Sequence, residues 1–560
     1  MPANGFQLWS MVSGCCRRIS RTMTMTESPP SEAAESTEPV AATPGAGLYD
    51  ALTTSDHKAI GRIWLRLGLL LLLGVAVLGV LVALEGTSAD GADVFGGVNA
   101  VWQMQGLYSV GLVLLVVPAL TIGLATIVVP MQVGSSNIAF PRAAAAAAWG
   151  FVVGVAIMVV SVLAGGGWGA LDGVSGGEAD AIELTLLGMG MVAASILLAC
   201  ICLATTVVSL RTPGMGLMKT PLFAWSILVS ASVWILTLPV LIANLIIIVV
   251  DLRGGPLLFG NPEGTTMIFD QVHWVLEQPA VFVLGIPVLG IIGSIVPVVA
   301  GARHIAHAGL MAAIGVAGLL AVGGWSQPAF SDQRDELLFV AFGLLAVVPV
   351  LASLALNSLT LAKAGPQVGL PPAQLLGALG AGLLLLLGTG AGALRVIGPF
   401  DLIGTGADAG VVHLVAYAAV VGLAAGMWFW ASKIGGYALP NAAGLGVMLD
   451  FIGAAVLMGA AHVLIGFDFA SGLNDAMAWV VFVGAILAVL GALGVVSSVA
   501  SAKRSGDEPG DDPWHGHTLE WATVTPVPAG NFVGALARVT SEAPLLDVAE
   551  QADSDEGGAS

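Results

Sequence analysis

A chain of 560 residues that is 57% hydrophobic and only 10% charged, with a mean hydropathy of +0.94, is excluded from the soluble globular class, where about 25% of residues are charged. The formal charge of −18 comes mostly from acidic tails (31–50, 507–512 and 541–556) and acidic outer loops. No basic stripe marks a nucleic-acid partner.

In chain order, residues 1–48 read as a disordered N-terminal tail, with Pro, Glu, Ser and Ala dominating 27–47. Cys15 and Cys16 follow Val12-Ser13-Gly14, as at a lipoprotein processing site, but Arg17, Arg18 and Arg21 come after them and no apolar run precedes them. The start is expected at Met1, Met23 or Met25. A membrane domain then runs over 49–502. Its apolar segments lie near 60–84, 104–129, 149–165, 181–210, 221–250, 268–299, 306–323, 334–360, 373–394, 410–432, 445–467 and 477–501. Each can cross a ~30 Å hydrocarbon core. Lipid offers no hydrogen bonds to the backbone, so these segments must be helices. The expected fold is therefore all-α and polytopic, with about twelve transmembrane helices.

Lys58, Arg62, Arg66, Arg142, Arg211, Lys219, Arg303, Lys363, Lys433, Lys503 and Arg504 all fall on one face of that topology. The other face has Arg253, Arg334 and Arg395 among many acids. Excess Lys and Arg mark the cytoplasmic side, which places both termini in the cytoplasm and the chain in the inner or plasma membrane. Cys200 and Cys202 sit in the fourth segment as core thiols. Residues 503–560 form a polar C-terminal tail, expected to be disordered like the N-terminal one, with His515 and His517 solvated.

Several stretches, in order, resemble subunit I of the heme–copper oxidases, the cytochrome c oxidase type. They are Thr53-Thr54-Ser55-Asp56-His57-Lys58-Ala59-Ile60-Gly61; Val129-Pro130-Met131-Gln132-Val133-Gly134; Ala139-Phe140-Pro141-Arg142 with Trp149; and Pro221-Leu222-Phe223-Ala224-Trp225-Ser226 through Leu238-Pro239-Val240-Leu241. Further along come Asp270-Gln271 to Pro287; Trp325; Lys433-Ile434-Gly435-Gly436; Phe451-Ile452-Gly453 with His462; and Pro513-Trp514, Thr518-Leu519-Glu520-Trp521 and Asn531-Phe532. The resemblance covers 53–532 and implies a twelve-helix bundle in a respiratory complex.

The family's chemistry, by that resemblance, rests on six histidines holding two hemes and a copper ion, and this chain has eight histidines in all. Where the second helix should carry a heme ligand the sequence reads Gln103-Met104-Gln105-Gly106-Leu107, making Gln105 and Leu107 degenerate positions. The sixth-helix His-Pro-Glu-Val-Tyr becomes Gln278-Pro279-Ala280-Val281-Phe282, changing a copper ligand at Gln278 and the Tyr at Phe282. The paired copper histidines become Gln327-Pro328. The propionate-holding Arg pair has no counterpart in Phe469-Ala470-Ser471-Gly472-Leu473-Asn474, and the proton-channel Asp and Lys give way to Asn137 and Ser353. Carboxamide and aliphatic side chains do not replace imidazole as strong ligands. No cofactor is therefore expected.

Four polar residues stand out within spans, where ionisable groups are functional candidates by default. They are Glu277, beside Gln278 and Pro279; His413, a weak heme-ligand candidate or a neutral imidazole bonded to a neighbouring helix; and Asp450 and His462 on the eleventh span. The last two are roughly 18 Å apart along the helix and cannot form one site. His304 and His307 could share a helix face at i, i+3 but lack a nearby carboxylate.

Three functions follow. The leading one is a non-catalytic subunit I-like scaffold or assembly subunit, working with a subunit II-like, III-like or genuine subunit I in the bilayer. The second is an active oxidase coupling O₂ reduction by cytochrome c to proton pumping. The third is a channel or transporter using the former heme space, lined by Glu277, Gln278 and His413.

Overall fold

The computed structural model describes residues 53–87, 94–168, 177–254, 279–323, 337–365, 371–468, 471–505, 509–534, 536 and 538–557. Every long regular element among them is a helix. In order these are α1 His57–Glu85, α2 Val98–Val110, α3 Val117–Gln132, α4 Pro141–Leu163, α5 Gly177–Ser209, α6 Leu222–Gly254, α7 Pro279–Ala300 and α8 His307–Gly323. Then come α9 Leu337–Leu345, α10 Val347–Lys363, α11 Ala373–Arg395, α12 Gly406–Phe429, α13 Ala431–Gly435, α14 Asn441–Gly466, α15 Ser471–Ser505 and α16 Pro544–Gly557. A π-helical turn, Gly111–Val116, joins α2 to α3 just before Pro118, whose missing N–H interrupts the ladder there.

Among the described residues, eleven helices are long and apolar enough to cross a membrane, with α2–α3 counted as one and α9–α10 supplying one; α8 is a shorter apolar helix. This is the all-α polytopic fold expected.

The bundle has an inner and an outer ring. The apolar window of α12 is 100% buried and that of α2–α3 94%, against 33% for α1. Outer and inner helices approach closely through small residues. A Cβ on Gly61 of α1 would lie 2.7 Å from the Gly123 carbonyl of α3, so the two backbones meet there.

The C-terminal residues correct the expectation of a disordered tail. A 3₁₀ turn, Leu519–Ala522, places Glu520 fully inside the protein. Glu520 Oε1 accepts from Gln132 Nε2 (2.9 Å) and Trp430 Nε1 (3.2 Å), while Gln132 Oε1 accepts from the Ala224 amide (3.1 Å). Asn531, also fully buried, has a left-handed φ of 69°. Its Oδ1 faces His57 Nε2 (2.9 Å) and Lys58 Nζ (3.3 Å), and its Nδ2 donates to the Ser135 carbonyl (2.8 Å). His57 Nδ1 donates to the Thr126 carbonyl (2.8 Å), and Thr523 Oγ1 donates to the Asn531 carbonyl. Lys433 Nζ satisfies all three of its N–H groups on the tail: Asp511 O (2.7 Å), Thr523 O (2.6 Å) and Thr525 Oγ1 (3.2 Å). The polarity that makes the tail look disordered is what the bundle's buried donors require.

The tail also rearranges the loop histidines. His515 is exposed but His517 is buried, which corrects the expectation that both are solvated. His304 lies in the turn before α8, not on it, with its ring 5.7 Å from that of His307. Both line a small cavity with His517 and Glu542, so a carboxylate is nearby after all. Burial, and then the neighbouring His307, lower His304 to about 3, so it is neutral at ordinary pH. Arg303 in the same turn holds α16 through Asp547 Oδ1 (2.5 Å) and Glu550 Oε2 (2.8 Å).

Two predictions follow from this clasp. Asn531→Ala removes the acceptor of Lys58 Nζ and the donor to the Ser135 carbonyl, and is expected to destabilise the protein by about 2–4 kcal/mol. A lower thermal midpoint in detergent, with faster proteolysis within 509–534, reports it. Glu520 is the pH-sensitive element: burial pushes its carboxyl above the ordinary 4.5, against the donors from Gln132 and Trp430. A raised folded value means its stabilising contribution is full below about 4.5 and is lost as pH rises through the folded value. Glu520→Gln is expected to flatten that fall in a midpoint-against-pH series.

Candidate functional site

The inner ring brings two of the sequence candidates together. His413 on α12 and His462 on α14 stack face to face, with ring centroids 4.8 Å apart and planes 10° off parallel. They are 49 positions apart in sequence, and neither was paired with the other from the sequence. Tyr108 at the end of α2 lies 3.2 Å from His413 Nε2 through its hydroxyl. Tyr417, one turn further along α12, lies parallel to His413 with ring centroids 6.4 Å apart.

The tautomers follow from the partners. His413 Nδ1 lies 2.6 Å from the Ala409 carbonyl, and His462 Nδ1 lies 2.8 Å from the Met458 carbonyl. A carbonyl can only accept, so both Nδ1 atoms carry hydrogen. The neutral His413 then accepts at Nε2 from the Tyr108 hydroxyl. Both ring nitrogens of His413 are thereby engaged. The pocket of polar atoms is built by helix spacing: His413 and Tyr417 are i, i+4 on α12, and each back-bonded carbonyl is i−4.

An ion pair closes the end of this inner hairpin. Arg395, the last residue of α11, donates from Nη1 to Asp408 Oδ1 (2.6 Å), and the Gly404 amide donates to Asp408 Oδ2 (2.7 Å). Asp408 sits in the first turn of α12, where a negative charge is favoured by the helix dipole. The sequence offered no sign of this pairing beyond an Arg and an Asp flanking a short connection.

The other candidates stay apart. Gln105 is exposed and Leu107 half-buried on α2, and the inward-facing position is Tyr108. Asp450 is half-buried on α14, on a different stretch of that helix from His462. Phe282 falls within α7. Glu277, Gln278, Gln327 and Pro328 lie outside the described residues. Among the described residues no group of three or more His, Cys, Asp or Glu is placed to hold a metal ion. Two cavities within the bundle, one against Cys200 and Trp234 and one against Thr389 and Val415, are each about 20 Å³, room for a single water.

The family pattern for "Cytochrome C and Quinol oxidase polypeptide I" matches residues 59–524. The chain belongs to this family. It is 27% identical over 532 residues to a putative cytochrome c oxidase subunit 1-beta of Streptomyces avermitilis, covering 90% of this chain and 93% of the relative. It is 27% identical over 511 residues to cytochrome c oxidase subunit 1 of Bacillus subtilis, covering 88% and 82%. It is also 25% identical over 515 residues to a heme-copper oxidase subunit I+III of Aeropyrum pernix, covering 87% and 62%. The protein is thus a multi-pass membrane protein of the cytochrome c oxidase subunit I type.

This membership corrects the expectation that no cofactor is bound. The subunit I family is one of heme and copper proteins, and residue changes read along a single sequence do not take a chain out of that chemistry. The described imidazoles nevertheless do not fit a heme as they stand. His413 and His462 stack on each other instead of facing a porphyrin, and ligation at His413 Nε2 would require Tyr108 to give up its hydrogen bond.

The buried bond itself is testable. Tyr108→Phe leaves His413 Nε2 without its donor in a dry interior and is expected to cost about 1–3 kcal/mol. His413→Leu in the Tyr108→Phe background should add less than it does alone, as a double-mutant cycle of thermal midpoints would show.

Proposed function

We propose that this subunit I-like protein is a scaffold or assembly component of a terminal oxidase-type respiratory complex, and that oxygen reduction does not take place within this chain alone. The observation that carries the reading is the residue types at the stretches resembling the ligand positions: Gln105 and Leu107, Gln278 and Phe282, and Gln327-Pro328. Dioxygen reduction in this family brings a heme and a copper to one site, and carboxamide, aromatic and prolyl side chains are poor substitutes for imidazole there. The proposal concerns where oxygen reacts. Heme and copper remain the cofactors that the family brings to the chain.

The relatives' names include a subunit I+III, which supports packing of this bundle against a subunit III-like neighbour; a subunit II-like protein and a genuine subunit I are the other partners proposed. The distribution of Lys and Arg supports an inner or plasma membrane location with both termini cytoplasmic.

The chain purified alone in detergent, supplied with reduced cytochrome c, is expected to show no cyanide-sensitive oxygen uptake. Uptake at turnover rates, with copper at one per chain, would overturn the proposal. Co-purification of other oxidase subunits from the native membrane is the positive result it expects.

A further inference from the structure

Several cations of this protein have anionic or polar partners. Lys58 pairs with Asp56, Arg253 with Glu183, Arg303 with Asp547 and Glu550, Arg395 with Asp408, and Lys433 is held by three tail oxygens. Three further cations, half-buried Arg62 and exposed Arg66 and Lys503, meet around one cavity. They have no ion pair among the described residues, and the cavity is about 260 Å³. It is an order of magnitude larger than the two water-sized cavities in the bundle.

Its walls are amphipathic by construction. On α1, Arg62, Leu65, Arg66 and Leu69 lie at i, i+3, i+4 and i+7, which is one helix face. Val499 and Lys503, at i and i+4, present the facing side from α15. Met427 adds to the apolar floor, and Tyr437 stands at the rim with Lys503 Nζ 5.9 Å from its ring centroid. The floor is therefore apolar, the rim is cationic, and no carboxylate lines either.

Position along the helix sharpens this. Arg62 and Arg66 are five and nine residues past the start of α1 at His57, so about 7 and 13 Å along it. A cation carried on a membrane-spanning helix snorkels towards the headgroup layer or meets an anion. Among the described residues Arg62 makes a long hydrogen bond, 3.4 Å from Nη1 to the Ile434 carbonyl.

We propose that this cavity is a binding site for an anionic phospholipid, with the phosphate held by Arg62, Arg66 and Lys503 and an acyl chain lying over Leu69, Met427 and Val499. Basic pockets between transmembrane helices at the membrane surface recognise such headgroups through charge, and the apolar floor distinguishes a lipid from a free phosphate. The occupant would join α1 to α15, the first and last long helices of the bundle.

Thermal unfolding of the detergent-purified full chain tests this, with phosphatidylglycerol, phosphatidylcholine or inorganic phosphate added in turn. Phosphatidylglycerol is expected to raise the midpoint, and the other two are not. Neutralising one cation should weaken the apparent affinity by about fivefold, and R62Q/R66Q/K503Q together should abolish the preference for the anionic lipid. Arg142→Gln, on an exposed cation elsewhere, should leave the effect intact. Should the triple variant not fold, Lys503→Gln, two residues from the end of α15, carries the test alone. An equal response to phosphatidylcholine, or an unchanged phosphatidylglycerol response in Lys503→Gln, overturns the proposal. An equal response to inorganic phosphate overturns the lipid in favour of a free anion.

Discussion

Glu520 and Asn531 fix how this bundle can close. Both are fully buried, and each bridges helices that are distant in sequence: Asn531 is bonded to His57, 474 positions away, and Glu520 to Gln132, 388 positions away. Buried polar groups are tolerated only when paired, so His57, Lys58, Gln132, Trp430 and Lys433 need partners that the spanning helices do not supply. The C-terminal segment supplies them. It is a structural member of the membrane domain, joining α1, α3 and the α12–α13 corner through hydrogen bonds to side chains and backbone.

With that end held, the interior is free to be apolar. α12 is buried all round, and the polar atoms of the inner layer are handled locally: His413 of α12 bonds back to Ala409, His462 of α14 to Met458, and Arg395 of α11 closes on Asp408 of α12. The two stacked rings share one environment, so the inner polar cluster is a unit of imidazoles and tyrosines and not a row of independent candidates. Its members belong to three helices, α2, α12 and α14, and any ligand entering there must exchange with the Tyr108 hydroxyl. In a closely packed interior that exchange moves whole side chains.

The fold was legible in sequence because hydropathy over 20 residues is a strong signal and lipid leaves the backbone one solution. Segments anticipated at 373–394 and 445–467 emerge as Ala373–Arg395 and Asn441–Gly466. The fourth helix starts earlier than its apolar run at 149, because Pro141 initiates it and six alanines carry it with little hydropathy. The site was less legible. His413 and His462 were both visible as intramembrane imidazoles, but stacking between α12 and α14 depends on helix rotation, which a nearly uniform apolar sequence does not encode. His517 was misjudged for the opposite reason: a polar segment without periodicity reads as solvated unless its buried partners are known. The expectation of no cofactor failed because it weighed ligand residue types position by position, whereas family membership rests on similarity spread over most of the chain.

That spread has a physical explanation in the clasp. Asp56-His57-Lys58, Gln132, Lys433-Ile434-Gly435-Gly436, Glu520 and Asn531 are among the residues that carried the family resemblance, and they are the residues that hold the tail in place. They lie at the ends of α1 and α3, on the short α13 corner and in the C-terminal segment, all at one end of the bundle. His413 and Tyr108, which did not carry it, lie within the spans instead. The two sets share no hydrogen bond among those described. The residues that assemble the bundle can therefore be kept while those inside it vary, and recognition of the fold by sequence is then a statement about closure of the bundle, separable from the chemistry at its centre.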